Sequence, residues 1–298
     1  MNAVFGRAST KDESFLSGTL VVSVRCKPGY LIVADKRVTA DALFGGVNDN
    51  EVKIHKADKF TAFTCVGKVK LVDWTRDAKT NKPIRMQMLF NADKAVKDTL
   101  RQHPIKGTML AQTDDFMCMG LNQAFRKPFE GTTFESWPPT PPMQPVFVVC
   151  LYHFDYRSKT FQHCRYNFYY KQPSKSVIAS IEVQPENETA ADMQLGKWNA
   201  MGDGYQTQYV VSKLGRAKAK YAMSVPDTPT FPSASAISLE QAKSMAGKLI
   251  SMTRELQEQD PIKKIPTISK NVDVAIVASR SGFHKLKCNV PAASLVSE

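Results

Sequence analysis

The sequence has no C-x-x-C pair, and its six cysteines are scattered over 298 residues. That spacing does not make a disulfide scaffold, so reduced thiols are expected. No apolar run approaches the roughly 18 residues a membrane-spanning helix needs, so no membrane partner is expected. The first 18 residues include Arg7, Lys11, Asp12 and Glu13. They hold no apolar block of the roughly 7–15 residues that a secretory signal requires. No internal repeat is evident, which excludes solenoids and propellers. These absences leave a cytoplasmic protein as the expectation, with no bound cofactor and no metal.

What is present is a chain of ordinary globular composition. It is 43% hydrophobic and 23% charged, which argues against global disorder. Lys and Arg total 40 against 28 acids, a formal net charge of +12. Such an excess permits binding to acidic partners. The basic residues are dispersed, however. The densest stretch, Lys213 to Lys220, reads as the solvated face of a helix, so nucleic acid is not an expected partner.

Several segments read clearly. Thr19 to Arg25 is rich in β-branched residues, Lys27-Pro28-Gly29 supplies a turn, and Tyr30 to Ala34 follows as a second apolar strand. The pair predicts a hairpin. Residues 41–50 read as a loop, and Val52–Ile54 and Phe60–Val66 as short strands ending at Gly67. Val69, Val72 and Trp74 suggest a short helix, and Met86, Leu89, Ala92, Val96 and Leu100 the stripe of a second one over Met86–Leu100. Pro145–Tyr152 and Thr160–Phe168 predict another hairpin. Tyr205 to Met223 looks helical. Ser238-Leu-Glu-Gln241 reads as a capping box opening a helix with Ala242, Met245, Ala246, Leu249, Met252 and Leu256 on one face. Val272–Ala278 is a buried strand with a short return. Residues 1–18 are polar and non-periodic. Loop insertions are expected around 126–145, 184–195 and 226–237 of a single domain spanning 19–298. The element order predicts an α+β protein, a four-layer αββα sandwich of two antiparallel sheets flanked by helices.

Four features in this order suggest chemistry: Gly18-Thr19, Asp35, Lys53 and Gly67. Asp35 is the most informative, because a charge that ends an apolar strand must find a partner. A hydroxyl is a poor nucleophile at neutral pH and needs a nearby base. If the Gly18–Thr19 bond is cut, the freed α-amine, ordinarily titrating at about 8, can serve as that base for the Thr19 hydroxyl. Lys53, if buried, would favour deprotonation of neighbouring groups, with Asp35 orienting it. The backbone N–H of Gly67 could face a developing oxyanion, a contribution of roughly 3 kcal/mol.

Gly18-Thr19, Ser23-Val-Arg25, Ala34-Asp35-Lys-Arg37-Val-Thr39, Val52-Lys53-Ile54, Gly67 and Val272–Val277 together resemble the proteasome β-subunit and its bacterial HslV-type relatives, the N-terminal-nucleophile threonine peptidases. Residues 19–67 carry the resemblance well, 200–285 more loosely, and 80–200 share only element order. It implies the N-terminal-nucleophile (Ntn) hydrolase fold. It also implies autocatalytic removal of residues 1–18 as a propeptide, Thr19 as nucleophile, Asp35 and Lys53 as its supporting pair, and Gly67 as oxyanion donor. By the same resemblance the protein would form homo-oligomeric stacked rings, take peptide or unfolded protein as substrate, and receive it from an ATP-dependent unfoldase.

The sequence departs from the pattern at three places. Leu20 stands where Thr is frequent. Asp203, in Gly202-Asp-Gly204, replaces a Ser beside the nucleophile. The Asp and Ser usual near the end of the family's fourth helix have no clear match; Asp260 and Ser269, separated by an insertion containing Pro261 and Pro266, are the candidates. By position, Val38, Cys65 and Val69 should line the first substrate pocket, with Glu51 or Asp73 at its rim. A catalytically silent or specialised ring-forming homologue, such as a non-peptidase amidase, is the alternative. Cys150-x2-His153 and His163-Cys164 invite a zinc reading. Adjacent strand residues point to opposite faces, so a hairpin with buried cysteines and half-exposed histidines is the expectation instead.

Overall fold

The computed structural model describes residues 10–17, 20–40, 47–67, 69–76, 80, 83–106, 110–127, 147–171, 180–187, 198–202, 237–258 and 268–296. Along the chain come β1 (Thr10–Ser17), β2 (Leu20–Cys26), β3 (Gly29–Asp35), β4 (Val38–Ala40), β5 (Val47–Asn48), β6 (Ile54–Lys56), β7 (Thr61–Gly67), β8 (Lys70–Arg76) and β9 (Pro83–Asn91). Then follow α1 (Ala92–Gln102), α2 (Leu110–Arg126), β10 (Phe147–Asp155), β11 (Thr160–Lys171), β12 (Ser180–Asn187), β13 (Trp198–Gly202), α3 (Leu239–Glu258), β14 (Asn271–Ala278) and β15 (Gly282–Pro291). One 3-10 turn, Ala292–Leu295, comes last.

Two antiparallel sheets stack face to face, in the orders β13-β2-β3-β14-β15 and β12-β11-β10-β7-β6. Between them lie Val21, Ile32 and Ala275 from the first, and Ala62, Val148 and Tyr152 from the second. The alternate residues of the same strands face helices. Val22, Val24, Leu31 and Val33 pack on Ala242, Ala246 and Leu249 of α3. Phe63, Cys65, Val149 and Leu151 pack on Val96 of α1 and Met117 and Leu121 of α2. Strands covered on both faces favour apolar side chains at every position, which is why residues 30–34 of β3 and 147–152 of β10 read as unbroken apolar runs, whereas β2 is interrupted by Ser23 and Arg25. The mixed α+β class expected from the element order holds, with antiparallel sheets and few helices.

The helix predicted at 239 opens as expected. Ser238 N donates to Gln241 Oε1 at 2.9 Å and Gln241 N to Ser238 Oγ at 3.2 Å, the reciprocal bonds of a capping box. Both predicted hairpins, β2–β3 and β10–β11, are present in continuous register.

Other expectations need correction. A third antiparallel sheet runs β5-β4-β1-β8-β9. Its middle strand, β1, comes from the segment read as polar and non-periodic, and its β5 from the 41–50 loop. Backbone pairing on both edges of β1 needs no apolar pattern, so a two-residue period is absent from its sequence. The short helix expected at Val69–Trp74 is strand β8, held between β1 and β9. Short apolar runs fit either period, and the pairing partners decide. Likewise Met86–Asn91 is the end of β9, and the helix begins only at Ala92, where the Asn91 side chain caps Lys94 N at 3.1 Å. Residues 184–187 belong to β12 instead of a loop. The expectations for 126–145, 188–195, 205–223 and 226–237 fall almost wholly outside the described residues, as do residues 1–9. Among the described residues no helix is long and apolar enough to cross a membrane.

Gly29 shows how tightly β3 meets β14. A Cβ there would stand 1.9 Å from Val277 O, a backbone atom that cannot swing aside. Gly29→Ala is expected to cost about 2–3 kcal/mol, as overpacking of a fixed contact does. A urea-unfolding midpoint indistinguishable from the parent would contradict this packing.

Candidate functional site

Asp35 ends β3 and is fully buried. Its carboxylate is completely used. Oδ2 accepts from Leu20 N at 2.5 Å and Lys53 Nζ at 3.0 Å, and Oδ1 from Arg37 N at 2.8 Å and Ser269 N at 3.2 Å. Four donors on one carboxylate fill its acceptor capacity, which is how a buried charge at a strand end is sustained. Lys53, only 4% exposed, immediately precedes β6 and also donates to the Arg37 carbonyl. Its ammonium is thus fixed between β3 and β4.

Leu20 N is the nitrogen of the Thr19–Leu20 peptide bond, and it meets the Lys53 ammonium on the same oxygen of Asp35. One residue before the Gly18–Thr19 pair, Ser17 lies opposite Thr39 in the β1–β4 ladder. Gly18 and Thr19 themselves lie outside the described residues. Both flanks of the pair are therefore anchored to the short segment 35–39. Asp203 also lies outside, and its neighbour Gly202 pairs with Leu20. Asp260 lies outside as well. Ser269, the other candidate after the last long helix, reaches Asp35 through its backbone, while its Oγ accepts from Asn271 N at 3.1 Å.

Gly67 closes β7 with φ 98°, in the left-handed region that glycine takes without steric cost. Its carbonyl accepts from Val69 N at 3.0 Å, so the chain turns tightly here, where β7 gives way to β8. Val38, Cys65 and Val69 are buried, and the last two share the core cluster that includes α1. Burial pushes the Cys65 thiol well up, and the neighbouring Asp93 carboxylate adds to the effect. Glu51 pairs with Lys70. The Asp73 side chain lies outside the described residues.

Three further ion pairs surround Asp35 and were not evident from the sequence. Arg37 holds Asp49 in a two-pronged contact, Nε to Oδ1 at 2.6 Å and Nη2 to Oδ2 at 2.7 Å. The hydrogen bond from Arg37 keeps the Asp49 carboxyl below the ordinary carboxylate range and lifts the guanidinium in turn. Lys36 pairs with Asp273 at 3.1 Å, and Lys70 with Glu51. With Lys53–Asp35, each of these four cations has its own carboxylate. The mixture of acids and bases between residues 35 and 53 was the visible signal, but sequence spacing does not assign partners across a loop.

The zinc reading gains no geometry. His163 lies in the inter-sheet layer, stacked on Tyr152 with ring centroids 4.8 Å apart, while Cys164 faces the helix-side core. The expected half-exposed histidines are in fact buried, at 4% for His153 and 1% for His163. No group of three metal-ligating side chains occurs among the described residues. No protein-family model matches the chain, and a comparison with curated proteins finds no match.

Proposed function

We propose that this protein is an N-terminal-nucleophile hydrolase of the threonine peptidase type, resembling the proteasome β-subunit, that frees its own nucleophile by cutting the Gly18–Thr19 bond. The observation that carries the reading is the convergence of the Lys53 ammonium and the Thr19–Leu20 peptide nitrogen on one oxygen of buried Asp35. A lysine held there stabilises negative charge developing on a neighbouring hydroxyl without itself needing to move.

In the first step the Thr19 hydroxyl attacks the Gly18 carbonyl carbon and gives up its proton. The C–N bond breaks, the proton passes to the Thr19 nitrogen, and an ester links Gly18 to Thr19 Oγ. Water then hydrolyses the ester, releasing residues 1–18 with a carboxylate and leaving a free amine and hydroxyl on Thr19. In later turnovers that amine accepts the hydroxyl proton as a peptide carbonyl is attacked. Gly67, at the turn between β7 and β8, is placed in the reading as oxyanion donor. Asp203 follows Gly202, the partner of Leu20, and is read as a hydrogen-bond acceptor beside the Thr19 amine.

A second feature supports hydrolysis of extended peptide. β1 is the middle strand of its sheet, between β4 and β8. Among the described residues, cleavage after Gly18 would free one strand from that sheet, leaving the backbone edges of β4 and β8 about 9–10 Å apart, the width an incoming strand fills. Val38 opens β4 and Val69 directly precedes β8, the two strands bordering this slot; they are read as the first side-chain pocket together with Cys65, which lies in β7 and faces the core against α1 and α2. Stacked homo-oligomeric rings in the cytoplasm, fed by an ATP-dependent unfoldase, complete the reading. Four-layer packing of helices, sheet, sheet and helix agrees with the Ntn-hydrolase fold.

The test is the intact mass of the purified full-length product. The expected species begins at Thr19, and Thr19→Ala is expected to retain Met1 or Asn2 as its first residue. Recovery of uncut parent protein in assembled form would sink the reading.

A further inference from the structure

We infer that the end of the sandwich remote from Asp35 is a binding surface for single-stranded nucleic acid, with phosphates held by Lys27, Lys59, Arg157, Lys159 and Arg280 and a base stacked on Tyr156. This surface is independent of the proposed hydrolase site. β3 carries Gly29 at one end and Asp35 at the other, a separation of about 20 Å at strand geometry.

Four turns meet at this end: β2–β3, the turn before β7, β10–β11 and β14–β15. Their backbones are tied to one another. Ser279 N donates to Pro28 O at 3.1 Å, Phe283 N to Lys59 O at 2.7 Å, and Phe154 N to Phe60 O at 3.0 Å. At Gly282, φ +80°, a Cβ would stand 2.1 Å from Lys59 O. The turns therefore form one fixed surface in place of four independent tips. In sequence the five cations lie as much as 253 positions apart, and in space they share that surface.

All five are exposed. Among the described residues none of them enters an ion pair. The two acids of these turns are spent internally. Asp58 accepts from Phe60 N at 2.7 Å and Thr61 Oγ1 at 2.8 Å, and Asp155, 1% exposed, from Arg157 N at 2.9 Å and Ser158 Oγ at 2.6 Å. Asp155 offsets part of the charge at Arg157, and the rest is presented outward, which attracts a polyanion.

The aromatic groups select among polyanions. Tyr156 is 55% exposed at the β10–β11 tip, with the Phe60 ring 6.0 Å away. The Arg157 guanidinium lies 5.8 Å from the Tyr156 ring, and Lys59 Nζ 5.1 Å from the Phe60 ring. A ring flanked by cations is the arrangement on which an unpaired base stacks while its phosphates are neutralised. An acidic peptide gains nothing from the ring. A lipid surface calls for apolar side chains that enter it, whereas Ser158 and Ser281 occupy these turns.

The experiment is fluorescence anisotropy of a labelled 20-nucleotide oligo-uridine with the full-length protein over 50–200 mM salt. With five phosphates engaged, the log–log salt slope should be about −3.5, close to a hundredfold loss across that range. The variant Lys59→Ala/Arg157→Ala/Arg280→Ala should flatten the slope by about 2, and each single substitution by about 0.7. Tyr156→Ala should weaken binding about tenfold at fixed salt without changing the slope. Absence of binding, an unchanged slope in the triple variant, or a Tyr156→Ala affinity equal to the parent's would each overturn the proposal. So would equal affinity for heparin and oligo-uridine, which marks a surface that reads charge alone.

Discussion

Asp35→Ala is expected to lower the unfolding free energy by about 4 kcal/mol or more, the largest effect of any single substitution in the described core. Removing one member of a buried ion pair typically costs about 3–5 kcal/mol, because the survivor stays desolvated. Here the Lys53 ammonium would remain 4% exposed, still donating to the Arg37 carbonyl but without its carboxylate. Three backbone donors, Leu20 N, Arg37 N and Ser269 N, would lose their acceptor at once. Each orphaned donor adds a penalty of about 1–3 kcal/mol unless water enters. The double variant Asp35→Ala/Lys53→Met should recover part of the loss, since it removes the stranded charge. A coupling of about 2 kcal/mol is expected from the double-mutant cycle in urea. Strict additivity would mean that the two groups do not act as a pair.

Lys53→Met is expected to block self-cleavage and to lower peptide hydrolysis about a thousandfold. Methionine keeps most of the volume and removes only the charge and its hydrogen bonds. A preorganised donor at developing negative charge is worth on the order of 10²–10³ in rate. The loss should appear in kcat, with KM little changed, because Lys53 is read as acting on the nucleophile and not on the bound peptide. Intact mass reads the cleavage half of this prediction separately, by retention of residues 1–18. Assays run well below the unfolding midpoint of the variant separate chemistry from stability. A Lys53→Met protein that starts at Thr19 and turns over peptide at the parental rate would end the proposed mechanism.

Strand identity was most legible where burial is two-sided. Leu31, Ile32 and Val33 face alternately α3 and the opposing sheet, so every position demands an apolar side chain whatever its direction. The same holds for Val148, Val149 and Cys150. The capping box at Ser238 was legible for a different reason, since its bonds join residues three apart and need no tertiary partner. Legibility failed where pairing decided. Met and Leu favour helix, yet Met86 to Phe90 pair with β8, and the β8–β9 ladder skips Leu89 at a register shift between Leu71 and Val72. β1 was invisible because its stability comes from two neighbours that lie far along the chain.

The sequence by itself determined that Asp35 must find a partner, because a carboxylate closing an apolar strand needs donors around it. It also singled out Lys53 as a candidate partner, and the 3.0 Å contact bears that out. Only the tertiary structure decided the other three donors on that carboxylate, Leu20 N, Arg37 N and Ser269 N, and the assignment of Arg37 to Asp49 and Lys36 to Asp273. It alone turned dispersed lysines and arginines into one charged face. The physical reason is common to both. Local residue order sets which groups must be satisfied, whereas satisfaction itself depends on distances between segments that sequence spacing does not encode.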